Sequence, residues 1–259
     1  GDAHLRVHVR AVQVHLPAVR VNQVAHVLDV FLVHAVRGRV GDHDGGELVA
    51  VVTGPSSTLA GALELEPGLP RLLRRLVVMG GTFRGHPGNT TPVSEWNVDV
   101  DPEAADRVCV AWDEARASEP AVAPVLWCGL NLTERAVWTP ERSRELLAAA
   151  DTPLTRALVD ALRFYFEFHQ AQEEGYQAQI HDLLTCIIAL KKVSFEAVET
   201  TIDVEADSAL MRGTSVADLR NHWDRPANAS LVTSADIPAA HREFDRALRN
   251  LGTRVAQGE

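Results

Sequence analysis

The run Gly88-Asn89-Thr90-Thr91-Pro92-Val93-Ser94-Glu95-Trp96-Asn97 puts two carboxamides and one carboxylate within nine residues. A sugar hydroxyl both donates and accepts hydrogen bonds, so a carboxylate beside an amide satisfies it in both senses, most of all in a closed pocket. The same spacing equally suits a loop that caps its own backbone with Asn and Thr side chains. A second pair, His181-Asp182, stands at the start of a helical pattern carried by Leu183, Leu184, Ile187 and Ile188. There Asp182 either favours the helix dipole or ligates a cation, and His181 is of the type that works as an acid near neutral pH. The N-terminal histidines His4, His8 and His15 lack neighbouring Cys or carboxylates, and a zinc site needs three or four convergent ligands. Asp42-His43-Asp44-Gly45 reads more simply as a turn than as a metal loop.

These residues need elements to hold them. Leu48 to Val52 is a short apolar run ended by Thr53-Gly54-Pro55, and Ser57 to Leu65 follows with helical character. Leu76 to Met79 is a second run, closed by Gly80-Gly81, after which a polar loop extends from Thr82 to Asn97. A third run lies between Val122 and Leu130. Continuous apolar runs are what buried parallel strands require, with helices as the crossovers between them. Helices are predicted at Pro102 to Ala117, Pro140 to Ala149, Pro153 to Glu173, His181 to Leu190 and Pro238 to Leu251, several with Pro in the first turn. The fold class is therefore α/β, an open and mainly parallel sheet with flanking helices. Ligands of such sheets bind beyond the carboxyl ends of the strands, which puts Thr53, the 82–97 loop and the turn after Leu130 on one rim.

The first 46 residues differ. Their Val, His and Arg residues alternate with a phase that slips between Val9 and Val12, and they predict a weakly specified strand followed by a helix near Val24 to Arg37. The chain accordingly divides into an atypical segment, 1–46, degenerate or mis-translated, and a domain over 47–259.

At 259 residues the chain is long enough to bury about three quarters of its unfolded surface in one large domain. Its 46% hydrophobic and 23% charged content is that of a globular protein. A net charge of −10 argues against nucleic acid as a partner, because phosphate neutralisation needs clustered Lys and Arg. Three cysteines, Cys109, Cys128 and Cys186, make neither a metal signature nor a disulfide framework, and a reducing cytoplasm is expected. The apolar stretch Val27 to Val36 is interrupted by Asp29 and His34, so no membrane association is expected.

In series, these segments resemble the inosine-uridine preferring nucleoside hydrolase family. Thr53-Gly54-Pro55-Ser56-Ser57-Thr58-Leu59-Ala60 is similar to the family's TGPLTNLA segment, and Val77-Val78-Met79-Gly80-Gly81 to its VVMGG strand end. Gly88-Asn89, Thr91-Pro92, Glu95-Trp96-Asn97 and Asp101-Pro102-Glu103-Ala104-Ala105 follow the family's order, as do Gly129-Leu130-Asn131-Leu132-Thr133, Thr139-Pro140 and His181-Asp182. The resemblance implies hydrolysis of the N-glycosidic bond of a small ribonucleoside, with calcium as cofactor and assembly into a homo-oligomer. It implies that Asn89 and Glu95 hold the ribose 5′-hydroxyl and that Asn97 contacts the ribose hydroxyls on the metal side. Thr53 ligates calcium through its carbonyl and Asp182 through its carboxylate, while His181 protonates the departing base. An oxocarbenium-like transition state needs a nearby negative field, an activated water and an acid for the leaving group. The chain departs from the family in lacking its N-terminal D-x-D-x-x-x-D-D cluster, and in having Leu183 where the family has Pro. Two readings therefore stand beside the hydrolase: a catalytically inactive relative keeping part of a ribose pocket, and an unrelated carbohydrate enzyme with Glu95 and Asp182 as its acid pair.

Overall fold

The structure, a computed structural model, describes residues 9–10, 30–33 and 48–256, and the chain divides into two compact units. The first unit comprises residues 1–131 and 196–234; the second comprises 132–195 and 235–259.

Among the described residues the first unit is built on a seven-stranded sheet in the order Val9–Arg10, Val30–Val33, Leu48–Val52, Leu73–Met79, Val125–Cys128, Ala229–Ala235, Phe195–Thr200. The strands from Leu48–Val52 to Ala229–Ala235 pair in parallel, with Val52 opposite Val78, Val78 opposite Trp127, and Leu231 opposite Trp127 on its other side. Val51, Val52, Val77 and Cys128 are fully enclosed, as expected of strands covered on both faces. Val30–Val33 pairs antiparallel with Leu48–Val52, and Val9–Arg10 antiparallel with Val30–Val33. The helix expected near Val24 to Arg37 is thus a strand at Val30–Val33, where Val-Phe-Leu-Val, two of its four residues β-branched, favours the extended chain. The remainder of that expected helix lies outside the described residues, as do the N-terminal histidines and the Asp42 to Gly45 turn.

Helix Pro102–Ser118 starts with Pro at its first position and with the Asp101 carboxylate accepting the Ala104 N–H at 3.1 Å. It turns Ala105, Val108, Cys109, Trp112 and Ala115 into the core, against Leu76, Val78, Trp127 and Leu231. The strand expected between Val122 and Leu130 is confined to Val125–Cys128, because a short helix begins at Leu130. A hairpin, Ile202–Val204 with Ser215–Ala217, completes this unit.

The second unit packs helices Pro140–Ala149, Pro153–Ala171, His181–Ala189 and Ile237–Ala256 with a two-stranded ribbon, Val137–Trp138 against Ala178–Gln179. Trp138, Leu146, Leu162, Phe166, Ala178 and Leu248 form its core. A reciprocal pair of hydrogen bonds between Thr152 and Thr155 caps the long helix Pro153–Ala171. No helix among the described residues is long and apolar enough to cross a membrane.

Candidate functional site

The loop that the sequence singled out is tied together by its own candidate residues. Strand Leu73–Met79 ends at Gly80-Gly81, and Gly81 adopts left-handed backbone, φ 75°. A side chain there would also press on Ser215 Oγ and the Phe83 ring, so this position needs glycine twice over. The turn aims the Gly81 N–H at Glu95 Oε2, 3.0 Å away. Glu95 is 2% exposed and caps a short helix, Trp96–Val100, that opens before the expected end of the loop. Its Oε1 accepts the Asn97 N–H at 2.9 Å, and its Oε2 also accepts the Val98 N–H at 3.2 Å. A carboxylate with about four acceptor positions thus gives three to main-chain donors, which fixes its plane.

Asn89 closes the other side of the loop, its Oδ1 accepting the Trp96 N–H at 2.9 Å; the residue is exposed, and its amide nitrogen is the group left to meet a ligand. Asn97 is 7% exposed, and its Nδ2 donates to the Met79 carbonyl at 3.1 Å and to the Thr53 carbonyl at 3.4 Å. That pair of bonds spans the ends of two adjacent parallel strands and points the Asn97 carboxamide oxygen away from them. Thr53, Asn89, Glu95 and Asn97 are therefore brought together in the first unit through one hydrogen-bonded loop. The self-capping expected of the loop is seen: Glu95 caps the Trp96–Val100 helix and Asn89 accepts the Trp96 N–H.

His181 and Asp182 lie in the second unit, at the start of helix His181–Ala189. His181 Nδ1 meets Thr133 Oγ1 at 2.8 Å. Burial, and then the nearby charge of His169, push the His181 imidazole down to about 4, so it is neutral at pH 7. A neutral imidazole is a hydrogen-bond donor of fixed direction rather than a loaded proton donor. Asp182 keeps a solvent-exposed face, yet the protein packed on its other sides raises its carboxyl to about 6.

Calcium takes six to eight oxygen ligands. Among the described residues no group of three or more His, Cys, Asp or Glu could hold a metal ion. Thr53 offers one carbonyl, already approached by Asn97, and Asp182 one carboxylate whose affinity for a proton is raised. The described donor set does not fit the ion. The sequence pattern missed the orienting roles of the Met79 carbonyl, the Gly81 N–H and the Thr133 hydroxyl, although all three residues stand in the quoted motifs, and it named the Thr53 carbonyl for calcium rather than for Asn97. The Met79 and Gly81 groups are main-chain atoms without a side-chain signature.

The profile of the family described as Inosine-uridine preferring nucleoside hydrolase matches residues 10–242. The Pyrimidine-specific ribonucleoside hydrolase RihA of Enterobacter sp. (strain 638) is 31% identical over 187 residues, covering 72% of this chain and 56% of that protein. Its namesake from Citrobacter koseri is 32% identical over the same length and shares. The chain spans a little over half the length of these curated relatives. Among solved structures, a Purine-Preferring Ribonucleoside Hydrolase from Gardnerella vaginalis has a TM-score of 0.67 at 24% identity, over 80% of this chain and 62% of that one. The plant nucleoside hydrolase PpNRh1 also has a TM-score of 0.67, at 23% identity, over 79% and 63% of the two chains. Identities this low speak for the fold, and the sequence profile speaks for kinship along nearly the whole chain. The protein that carries this glycine-hinged loop belongs to the inosine-uridine preferring nucleoside hydrolase family.

Proposed function

We propose that the site serves hydrolysis of the N-glycosidic bond of a ribonucleoside, releasing ribose and a free base. The observation that carries the reading is the buried Glu95 side chain locked beside Asn97, with Asn89 across the same loop. A fixed carboxylate flanked by amides suits vicinal sugar hydroxyls, and its negative field favours the positive charge that builds on the ribose ring as the bond breaks. Asn89 and Glu95 take the 5′-hydroxyl in this reading, and Asn97 the ring hydroxyls. His181, neutral at pH 7, gives the departing base a hydrogen bond. As negative charge builds on the base, the imidazole takes a proton from solvent and passes it to the base, returning to its neutral form.

Calcium and a place in cytoplasmic nucleoside salvage belong to this proposal as family traits. The sparse oxygen donors among the described residues favour a second reading, a relative that binds ribose without cleaving the bond. RihA is named for pyrimidine ribonucleosides and the Gardnerella enzyme for purines, so both base classes belong in the assay. Incubation with uridine, cytidine or inosine, with and without calcium, followed by chromatography of the free base, tests the first reading. Release that is lost in His181→Ala supports it. Ribonucleoside binding that needs Asn97, without release of base, supports the second, and the absence of both overturns the two together.

A further inference from the structure

The connection that leads into His181 is fastened to the second unit at successive points, and its first fastening is a carboxylate–imidazole pair. Helix Pro153–Ala171 ends, and the reversal after it uses left-handed backbone at Glu173, φ 62°, and Gly175, φ 89°. Between them Glu174 folds back. Its N–H donates to the His169 carbonyl at 3.0 Å, and its Oε2 lies 2.5 Å from His169 Nδ1. Tyr176 then packs on Phe166 with ring centroids 5.4 Å apart, and Ala178–Gln179 pairs with Val137–Trp138. The Ile180 N–H donates to the Ala136 carbonyl at 2.9 Å, and the next residue is His181 on Thr133.

The pair is more than a surface contact. The His169 side chain is only 5% exposed, set edge-on to Tyr165 at 4.6 Å and to Phe168 at 5.5 Å between centroids. Its Nε2 is buried with no hydrogen-bond partner. Such an orphan is destabilising, and a fold that only needed to fill space would place an apolar ring there. A carboxylate on Nδ1 fixes the tautomer and the plane of the imidazole, as outer partners of functional histidines do.

We propose that Glu174 is a positioning residue: by clasping His169 it fixes the 172–180 connection and, through it, the place and orientation of the His181 imidazole. Its bearing on catalysis rests on the reading of His181 as the group that serves the departing base. The plain alternative is a half-exposed carboxylate that does no more than tidy a helix end.

Three variants separate these. Glu174→Ala removes the clasp, Glu174→Gln keeps an acceptor for the Nδ1–H, and Glu167→Ala removes an exposed carboxylate from the helix that carries His169. With 15N-labelled histidine, Glu174→Ala is expected to shift the His181 ring signals, and to speed amide exchange at Ala178 to Ile180 by about tenfold or more. Glu174→Gln restores most of both, and Glu167→Ala matches the parent. In turnover, Glu174→Ala lowers kcat by about tenfold while KM stays within about twofold. Ring signals and exchange rates in Glu174→Ala that match the parent would overturn the proposal, as would equal changes in Glu167→Ala. A parent that releases no base ends the hydrolase reading, and the ring signals and exchange rates still decide whether Glu174 positions His181.

Discussion

At the residue scale, Glu95 is the most constrained group of the site. It gives its two oxygens to the N–H groups of Gly81, Asn97 and Val98 while almost wholly enclosed. Glu95→Gln would turn an NH2 toward those donors and is expected to cost about 3 kcal/mol of stability, measured by urea unfolding, and to abolish ribonucleoside binding. His181 makes a pH prediction of definite sign. Its pKa is about 4 in the folded protein against 6.5 for an ordinary histidine, so the unfolded chain takes the proton first. Stability from this group is complete above pH 6.5 and is lost as pH falls from 6.5 toward 4, by about 3 kcal/mol at most. Asp182, raised to about 6, works in the opposite direction over the lower part of that window, because the folded state takes its proton first. Urea midpoints measured across the window should therefore fall less steeply in His181→Gln, which keeps Asp182, than in the parent. Parallel curves would contradict the burial of the imidazole.

Among the elements, helices with an apolar period were legible in the sequence, two of them also marked by a first-turn proline, and elements without a clear period were not. Ser57–Leu65 and Pro140–Ala149 match their predicted bounds, and Pro102–Ser118 and His181–Ala189 differ from theirs by one residue. Helix Trp96–Val100 escaped because it is only five residues long and is capped by a glutamate rather than by Ser, Thr, Asp or Asn. Strand Ala229–Ala235 escaped because Ser230, Thr233 and Ser234 break the apolar run that a buried parallel strand ordinarily shows. Phe195–Thr200, exposed along its middle, has no buried face to give it a period. Of the candidate site, the spacing of Asn89, Glu95 and Asn97 singled out the loop but equally suited a self-capping turn, whereas the carbonyls and N–H groups that aim these side chains depend on how strand ends meet. Gly88 shows how little freedom that loop retains. A Cβ there would come within 2.1 Å of the Ser94 carbonyl oxygen and 2.2 Å of the Thr91 carbonyl oxygen, both main-chain atoms. Gly88→Ala is accordingly expected to open the loop, lower the melting temperature by several degrees, about 1–3 kcal/mol in free energy, and weaken ribonucleoside binding more than it weakens the fold. Calorimetry of unfolding and of binding on the same sample measures both.

For the whole molecule, the three free cysteines report on both units: Cys109 and Cys128 in the first, Cys186 in the second. Cys109 and Cys128 are fully buried, and burial raises the Cys109 thiol well above its ordinary range. Cys186 is pushed up to about 11, again mainly by burial. At pH 8 its thiolate fraction is then about one in a thousand, against roughly a quarter for an unperturbed thiol. Native protein should leave all three thiols unlabelled by a disulfide reagent over minutes, and denaturant should release three equivalents. Rapid labelling of one thiol in buffer would mean that its unit opens locally. The order of strands in the sheet also bears on how the chain is made. Ala229–Ala235 lies between Val125–Cys128 and Phe195–Thr200, although it is synthesised after both. The inner flank of Val125–Cys128 thus waits for its neighbour while roughly a hundred more residues leave the ribosome, on the order of ten seconds of translation. Throughout that interval the nascent chain displays an unsatisfied apolar ledge, a hazard whenever elongation stalls.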